Sequence, residues 1–142
     1  MKEVIGFTLM FTLLMFGSYR DSGTRDYQLR QRAVDNIVYN YSQIAGKKGV
    51  LNESSYQELV KDLSIYGDFE IRLIAEKFEG DTPIVLEGES IIDFDLRGNE
   101  YDLITIYAED KEDLFINKVY RSSPMGIEAN YKLYSRGCSF IE

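Results

Sequence analysis

Residues 4–19 read VIGFTLMFTLLMFGSY and contain no charged side chain, and Arg20 and Asp21 end the run. Large apolar side chains would occur all around a helix formed by this stretch, so no polar face is left for water. Such a helix would rise about 24 Å, against roughly 30 Å for the hydrocarbon core of a bilayer. The stretch is therefore apolar enough for lipid but slightly short for a full crossing.

Three interpretations of this stretch compete. A core helix of a soluble protein would need burial on every side. A cleaved secretory signal fits the length, but Lys2 is offset by Glu3 and no clear small-residue cleavage site follows Phe16. We therefore favour a retained single-pass membrane anchor over residues 1–21. Its predicted anchoring side chains are Val4, Phe7, Leu9, Phe11, Leu13, Leu14 and Phe16.

The remaining residues, 22–142, contain no repeat, no low-complexity tract and no Gly/Ser-rich linker, which predicts a single domain. Apolar residues at steps of three and four predict an amphipathic helix that continues from the anchor or breaks once near 21–24, and stops at Gly46. They are Leu29, Ala33, Val34, Ile37, Val38, Tyr41 and Ile44. A second helix begins at Asn52, whose side chain can cap its first turn, and ends at Gly67.

Several strands follow the helices. Residues 69–76 alternate in the manner of a strand, and residues 84–86 and 102–108 predict two more. Residues 114–120 suit a strand or a helix equally, residues 122–126 a loop, and a last alternation runs from Ile127 to Leu133 before Gly137 interrupts it. The order predicts an α+β fold, in which an N-terminal apolar helix continues into an amphipathic helix packed on a small antiparallel sheet.

The composition excludes several kinds of chemistry. Among 142 residues there is no His, no Trp and a single cysteine, Cys138. Without His there is no His-activated nucleophile and no His-containing zinc site, and one thiol forms no intrachain disulfide. For Cys138 we favour the environment of a small buried hydrophobe, and an exposed thiol available for intermolecular pairing is the alternative. The 24 acidic against 16 basic residues, a formal charge of −8, argue against nucleic-acid binding. We expect no enzymatic activity and no cofactor.

The acidic excess is concentrated between Glu87 and Asp113, where the basic residues are Arg97 and Lys111. Clustered carboxylates are ligands that calcium prefers, and Asp93-x-Asp95-x-Arg97-Gly98 begins like an EF-hand loop. Arg97 occupies a ligand position, however, and Ile104 stands where the bidentate Glu is needed. We expect a solvated loop and a charged strand edge here, and no metal site.

Gly6-Phe7-Thr8-Leu9 resembles the tetrapeptide at which type IV pilin precursors are processed, with cleavage after the Gly. Where that family usually has Glu at the fifth mature position, this chain has Phe11. The layout of apolar helix, amphipathic helix and small α+β domain resembles the minor pilins of tight-adherence (Flp) pili, the TadE-like proteins and their Gram-positive relatives. The resemblance implies a possible processing site between Gly6 and Phe7, and an apolar helix that anchors or assembles the subunit.

These observations predict a membrane-anchored, non-enzymatic pilin-like or pseudopilin-like structural or assembly subunit. Its partners would be the membrane and other pilin-like subunits or assembly machinery. The resemblance implies an extracytoplasmic domain, whereas Arg20, Arg25, Arg30 and Arg32 beyond the apolar run favour a cytoplasmic one. The alternative is a secreted or membrane-attached ligand-binding module that takes a cation in its acidic region.

Overall fold

One helix takes up 47 of the 142 residues. The computed structural model describes residues 2–80, 82–112, 114, 117 and 131–142. In it, helix α1 runs without a break from Lys2 to Lys48. The alternative of a break near residues 21–24 is wrong, since the helix continues through these residues. Thr24 Oγ1 donates a hydrogen bond to the Arg20 carbonyl at 3.0 Å, and Arg25 pairs with Asp21 one turn earlier.

The prediction that this helix stops at Gly46 is wrong by three residues. The stop is Gly49, whose φ of 70° is the left-handed conformation common just beyond a helix end. Its N–H donates to the Ala45 carbonyl at 2.9 Å. Gly46 lies inside α1. A Cβ at this position would collide with Ser139 and with the Phe140 carbonyl, which explains why the residue is glycine. This glycine therefore allows close packing and does not end the helix.

The second helix, α2, spans Glu53–Ser64 and is capped as predicted. Asn52 Oδ1 accepts the Ser55 N–H at 3.1 Å, and Asp93 Oδ1 accepts the Glu53 N–H at 3.0 Å. The helix ends before Gly67, which was the predicted end. A Cβ on Gly67 would lie 3.0 Å from an oxygen of Asp110, so this glycine instead makes room for a carboxylate.

The strands form one antiparallel sheet in the order β2-β1-β3-β4, so the predicted α+β fold is confirmed. They are β1 (Phe69–Lys77), β2 (Ile84–Glu87), β3 (Leu103–Asp110) and β4 (Tyr134–Phe140), and a 3₁₀ turn at Gly88–Ile91 follows β2. The first three match the predicted strands closely. Leu73 and Ala75 are buried, and Phe69 and Ile71 pack against the core, as their alternation predicts.

The last strand differs from its prediction. It begins at Tyr134, after Leu133, and Gly137 lies at its centre where the sequence suggested an interruption. Most of the predicted alternation, from Ile127, falls outside the described residues, as do the predicted loop at 122–126 and most of 114–120. Gly137 belongs in the strand because α1 approaches β4 too closely for a side chain there.

The core lies between α1, α2 and one face of the sheet. Val34, Val38, Leu59, Ile104 and Ile106 are fully buried in it. The predicted buried face of α1 is only partly right, since Leu29 is 66% exposed and Ile44 is exposed as well. The buried face of α1 contains the predicted Val34 and Val38, and it continues through Ser42 and Ala45, which were not predicted. Small side chains along this face let the helix lie against β4.

Candidate functional site

The first part of α1 projects away from the domain. Every side chain from residue 4 to residue 22 is exposed, and the first fully buried residue of the helix is Val34. We call residues 4–22 the arm. The predicted anchoring residues Val4, Phe7, Leu9, Phe11, Leu13, Leu14 and Phe16 all lie on it, with exposed fractions from 41% at Phe16 to 73% at Phe7. The chain's own domain therefore leaves the apolar surface of the arm uncovered.

Among the described residues, no helix combines the length and the apolar character needed to cross a membrane.

The hydroxyls of the two threonines of the arm are satisfied within the helix. Thr8 Oγ1 donates to the Val4 carbonyl and Thr12 Oγ1 to the Thr8 carbonyl, both at 2.8 Å. A hydroxyl that is already hydrogen-bonded costs less to transfer into an apolar environment. Gly6 and Gly17 contact nothing, since no atom lies within 4 Å of a Cβ built at either position. From residue 4 to residue 19 the arm is thus compatible with a neighbouring helix or with lipid.

Two ion pairs mark the helix just beyond the apolar residues. Arg25 lies 3.3 Å from Asp21, and Arg30 lies 2.9 Å from Asp26, each one turn apart. All four side chains are exposed, so each pair contributes only about 0.3–0.5 kcal/mol. These charged side chains mark the point at which the apolar part of α1 ends and the part that favours water begins.

The second part of α1 lies side by side with β4. Gln31 binds the Tyr134 backbone twice, donating from Nε2 to the carbonyl at 2.6 Å and accepting the N–H at 3.4 Å. Gln43 donates to the Cys138 carbonyl at 3.3 Å. A strand at the edge of a sheet exposes unpaired backbone groups, so these side chains cover part of the β4 edge. The sequence analysis did not single out either Gln.

A partly buried tyrosine links α1 to α2. Tyr41 donates a hydrogen bond from its hydroxyl to Asp62 Oδ2 at 2.9 Å. Burial, with this hydrogen bond and the nearby charge of Asp62 as further causes, raises the pKa of Tyr41 to about 12. The neutral phenol therefore holds the two helices together over the whole physiological pH range.

The acidic region is occupied by structural contacts. Asp93 holds the start of α2, Asp95 Oδ1 accepts the Gly98 N–H at 2.8 Å, and Asp102 Oδ2 accepts the Phe78 N–H at 2.7 Å. Glu100 pairs with Lys77 at 3.2 Å. Within the described part of the chain, no three acidic or cysteine side chains come together in a way that could hold a metal ion. These carboxylates shape the loop.

Cys138 is exposed on β4, so the favoured prediction of a small buried residue is wrong and the alternative of an exposed thiol is correct. The possible processing site, Gly6 and Phe7, lies in an exposed part of the arm.

Comparison with known proteins gave no family model, no curated protein and no solved structure that matches this chain.

Proposed function

We propose that the chain is a non-enzymatic, membrane-anchored structural or assembly subunit of the pilin-like or pseudopilin-like kind. The observation that carries this proposal is the arm, in which a continuous run of large apolar side chains is exposed on every side of the helix. Soluble monomers rarely expose contiguous apolar patches beyond a few hundred Å². A surface of this kind therefore needs either lipid or neighbouring copies to cover it.

In this proposal, lipid covers the arm first and neighbouring subunits cover it later. Before assembly the arm lies in the membrane, and afterwards it packs against the arms of other subunits or of the assembly machinery. Close packing between helices in lipid favours small residues, and Gly6 and Gly17 provide them without any role in the fold of the domain. Full crossing of the bilayer is not required, because an arm that only inserts can still hold the subunit at the membrane. A single-pass arrangement with an extracytoplasmic domain is the form we favour.

Membrane fractionation tests the arm directly. We expect the full chain to sediment with membranes and to resist extraction by alkaline carbonate. Replacing Leu9 and Leu13 by Asp should move it to the soluble fraction, because buried charges in lipid cost about 2.5–3.5 kcal/mol each. Leu29→Asp is the matched control, since Leu29 is an equally exposed leucine of the same helix outside the arm. A wild-type chain that stays soluble and monomeric would exclude the proposal.

Two further measurements refine it. Intact-mass analysis of protein from its native membrane should give a chain that begins at Phe7 if processing occurs as the resemblance implies. Protease treatment of intact cells should degrade the domain if it is extracytoplasmic. Complete protection in intact cells, with degradation after lysis, would place the domain in the cytoplasm.

A further inference from the structure

Part of β1 has a strand on one side only. Strand β3 pairs with β1 from Phe69 onward, but β2 pairs with it only over residues 74–77. In an antiparallel ladder, the N–H and carbonyl groups of successive residues point alternately to the two sides of the strand. The N–H of Lys111 donates to the Asp68 carbonyl on the β3 side. The backbone groups of Ile71, three residues further along, therefore point away from β3. We call residues 69–73 the open edge.

A cavity of about 310 Å³ lies along the open edge. It is lined by residues 71–74 of β1, by Tyr56 of α2, and by residues 87–89, where β2 passes into the 3₁₀ turn. Successive side chains of a strand point to opposite faces, so a cavity that touches consecutive strand residues lies against the strand edge. Within the part of the chain that the structure describes, no loop, turn or side chain hydrogen-bonds to the backbone of Ile71. The open edge can therefore accept another strand.

The outermost strands of the sheet are better protected than the open edge. Gln31 and Gln43 of α1 bond to the backbone of β4. At the opposite end of the sheet, β2 is only four residues long. Folded proteins usually cover or shorten free edges, because unpaired backbone groups recruit other chains. An uncovered stretch inside a cavity is therefore suited to pairing with a partner.

Negative charge surrounds the cavity. Glu87 and Glu89 line it, are exposed, and make no ion pair within the described residues. Burial raises the pKa of Tyr56, and the charges of Glu89 and Glu53 raise it further, so both carboxylates lie near the Tyr56 ring. The cavity also touches Arg72, but its guanidinium is paired with a carboxylate of β3 at 3.7 Å. A cationic side chain that entered the cavity would therefore find unpaired carboxylates.

We propose that the open edge binds an extended segment of a partner protein, which adds to β1 as an antiparallel strand and places a lysine or arginine opposite Ile71. The backbone of this segment bonds to the N–H and carbonyl of Ile71, as in other strands added to sheet edges. A side chain opposite Ile71 lies on the same face of the sheet, towards Tyr56. Its aliphatic part packs against these two residues, and its cation reaches Glu89.

The length of the open edge limits what can bind. Its five residues span about 17 Å, so only a short segment of the partner pairs with it. Backbone hydrogen bonds provide affinity for any extended chain, and the side chain in the cavity provides selection. Binding at the open edge does not depend on the arm, so it adds an interaction surface to the one in the proposed function.

Fluorescence anisotropy with a labelled peptide tests the site in detergent-solubilised full-length protein. The probe is the peptide Val-Thr-Lys-Thr-Val, whose central lysine falls opposite Ile71. Replacing that lysine by glutamate should weaken binding at least about tenfold, because the new carboxylate would face Glu89. N-methylation of the lysine amide should weaken binding about fivefold, because it removes a hydrogen bond to β1. The same modification on the following threonine, whose N–H points away from β1, should change the affinity less than about twofold.

Two protein variants test the charge in the cavity. Glu89→Lys should weaken binding of the lysine peptide at least about tenfold and should improve binding of the glutamate peptide. Glu58→Lys is the matched control and should bind as the wild type does, since Glu58 is an exposed glutamate of α2 that does not line the cavity. Circular dichroism checks that both variants are folded.

Several results would overturn the proposal. They are equal affinity for the lysine and glutamate peptides, equal effects of the two N-methyl groups, and no binding of the lysine peptide below about 1 mM. Self-association of the chain that Glu89→Lys abolishes would also overturn it, because a second copy would then occupy the open edge. The variant with Asp in place of Leu9 and Leu13 should bind the peptide as the wild type does, since both residues lie on the arm. Membrane sedimentation and peptide binding can therefore fail independently.

Discussion

Replacement of Gly137 by Ala tests the contact that joins the helix to the sheet. A Cβ at this position would lie 2.7 Å from the Val38 carbonyl oxygen and 2.9 Å from Ser42 Oγ. A relaxed carbon–oxygen contact is about 3.3–3.6 Å, so α1 would have to retreat by about 0.6 Å or more. The obstacle is a helix backbone carbonyl, which cannot rotate away as a side chain can.

The expected loss follows from two opposing effects. Overpacking of a tight contact costs about 1–3 kcal/mol. Replacing Gly by Ala in regular structure recovers about 0.5–1 kcal/mol of that, because the unfolded chain loses freedom. The middle of each range leaves a net cost of about 1 kcal/mol, which corresponds to a decrease in Tm of roughly 3–5 °C for a chain of this length.

Circular dichroism during thermal unfolding, on the full chain in mild detergent, measures this decrease. Gly17→Ala is the matched control, since nothing lies within 4 Å of a Cβ there, and its Tm should stay constant or rise slightly. If Gly137→Ala unfolded at or above the wild-type temperature, the helix and strand could not be packed as closely as described here.

Four further outcomes are expected. The contribution of Tyr41 to the free energy of unfolding is fully present below the unfolded pKa of about 10 and is lost as the pH rises through the folded pKa of about 12. In Tyr41→Phe, the free energy of unfolding measured by denaturant titration should therefore fall less steeply between about pH 10 and pH 12 than in the wild type. Asn52→Ala should lower the free energy of unfolding by about 1 kcal/mol in denaturant titrations, through loss of a helix cap. Gln31→Ala should cost about 1 kcal/mol through its bonds to the Tyr134 backbone, whereas Gln28→Ala, at an exposed position of the same helix, should cost nothing measurable. Millimolar calcium should leave Tm unchanged relative to a chelator, and a rise would favour the ligand-binding alternative.

The parts of the fold that the sequence predicted depend on local periodicity. The alternation in residues 69–76 and the cap at Asn52 carry enough information to place β1 and the start of α2. The exposed arm follows from its uncharged run in the same way, because a helix without a polar face cannot fit on one side of a sheet.

The glycines were harder to interpret because their roles depend on distant contacts. Gly46, Gly67 and Gly137 resembled stops or interruptions, yet each makes room for an atom far away in sequence: Phe140, Asp110 and Val38 respectively. Nothing in the local pattern distinguishes a glycine that ends an element from one that admits a neighbour. The alternation of small residues at Ser135, Gly137 and Ser139 was a usable signal, since it indicates a strand face pressed closely against a helix.

The parallel course of α1 and β4 determines how the domain responds to mechanical force. Contacts follow one another in the same order along both elements, from Tyr27 with Lys132 to Gly46 with Glu142. A pull on the arm along the helix axis therefore loads all of these contacts together in shear, instead of peeling them apart one at a time. Because α1 is continuous, no hinge between arm and domain absorbs the load. Tension applied at the apolar end reaches the sheet directly.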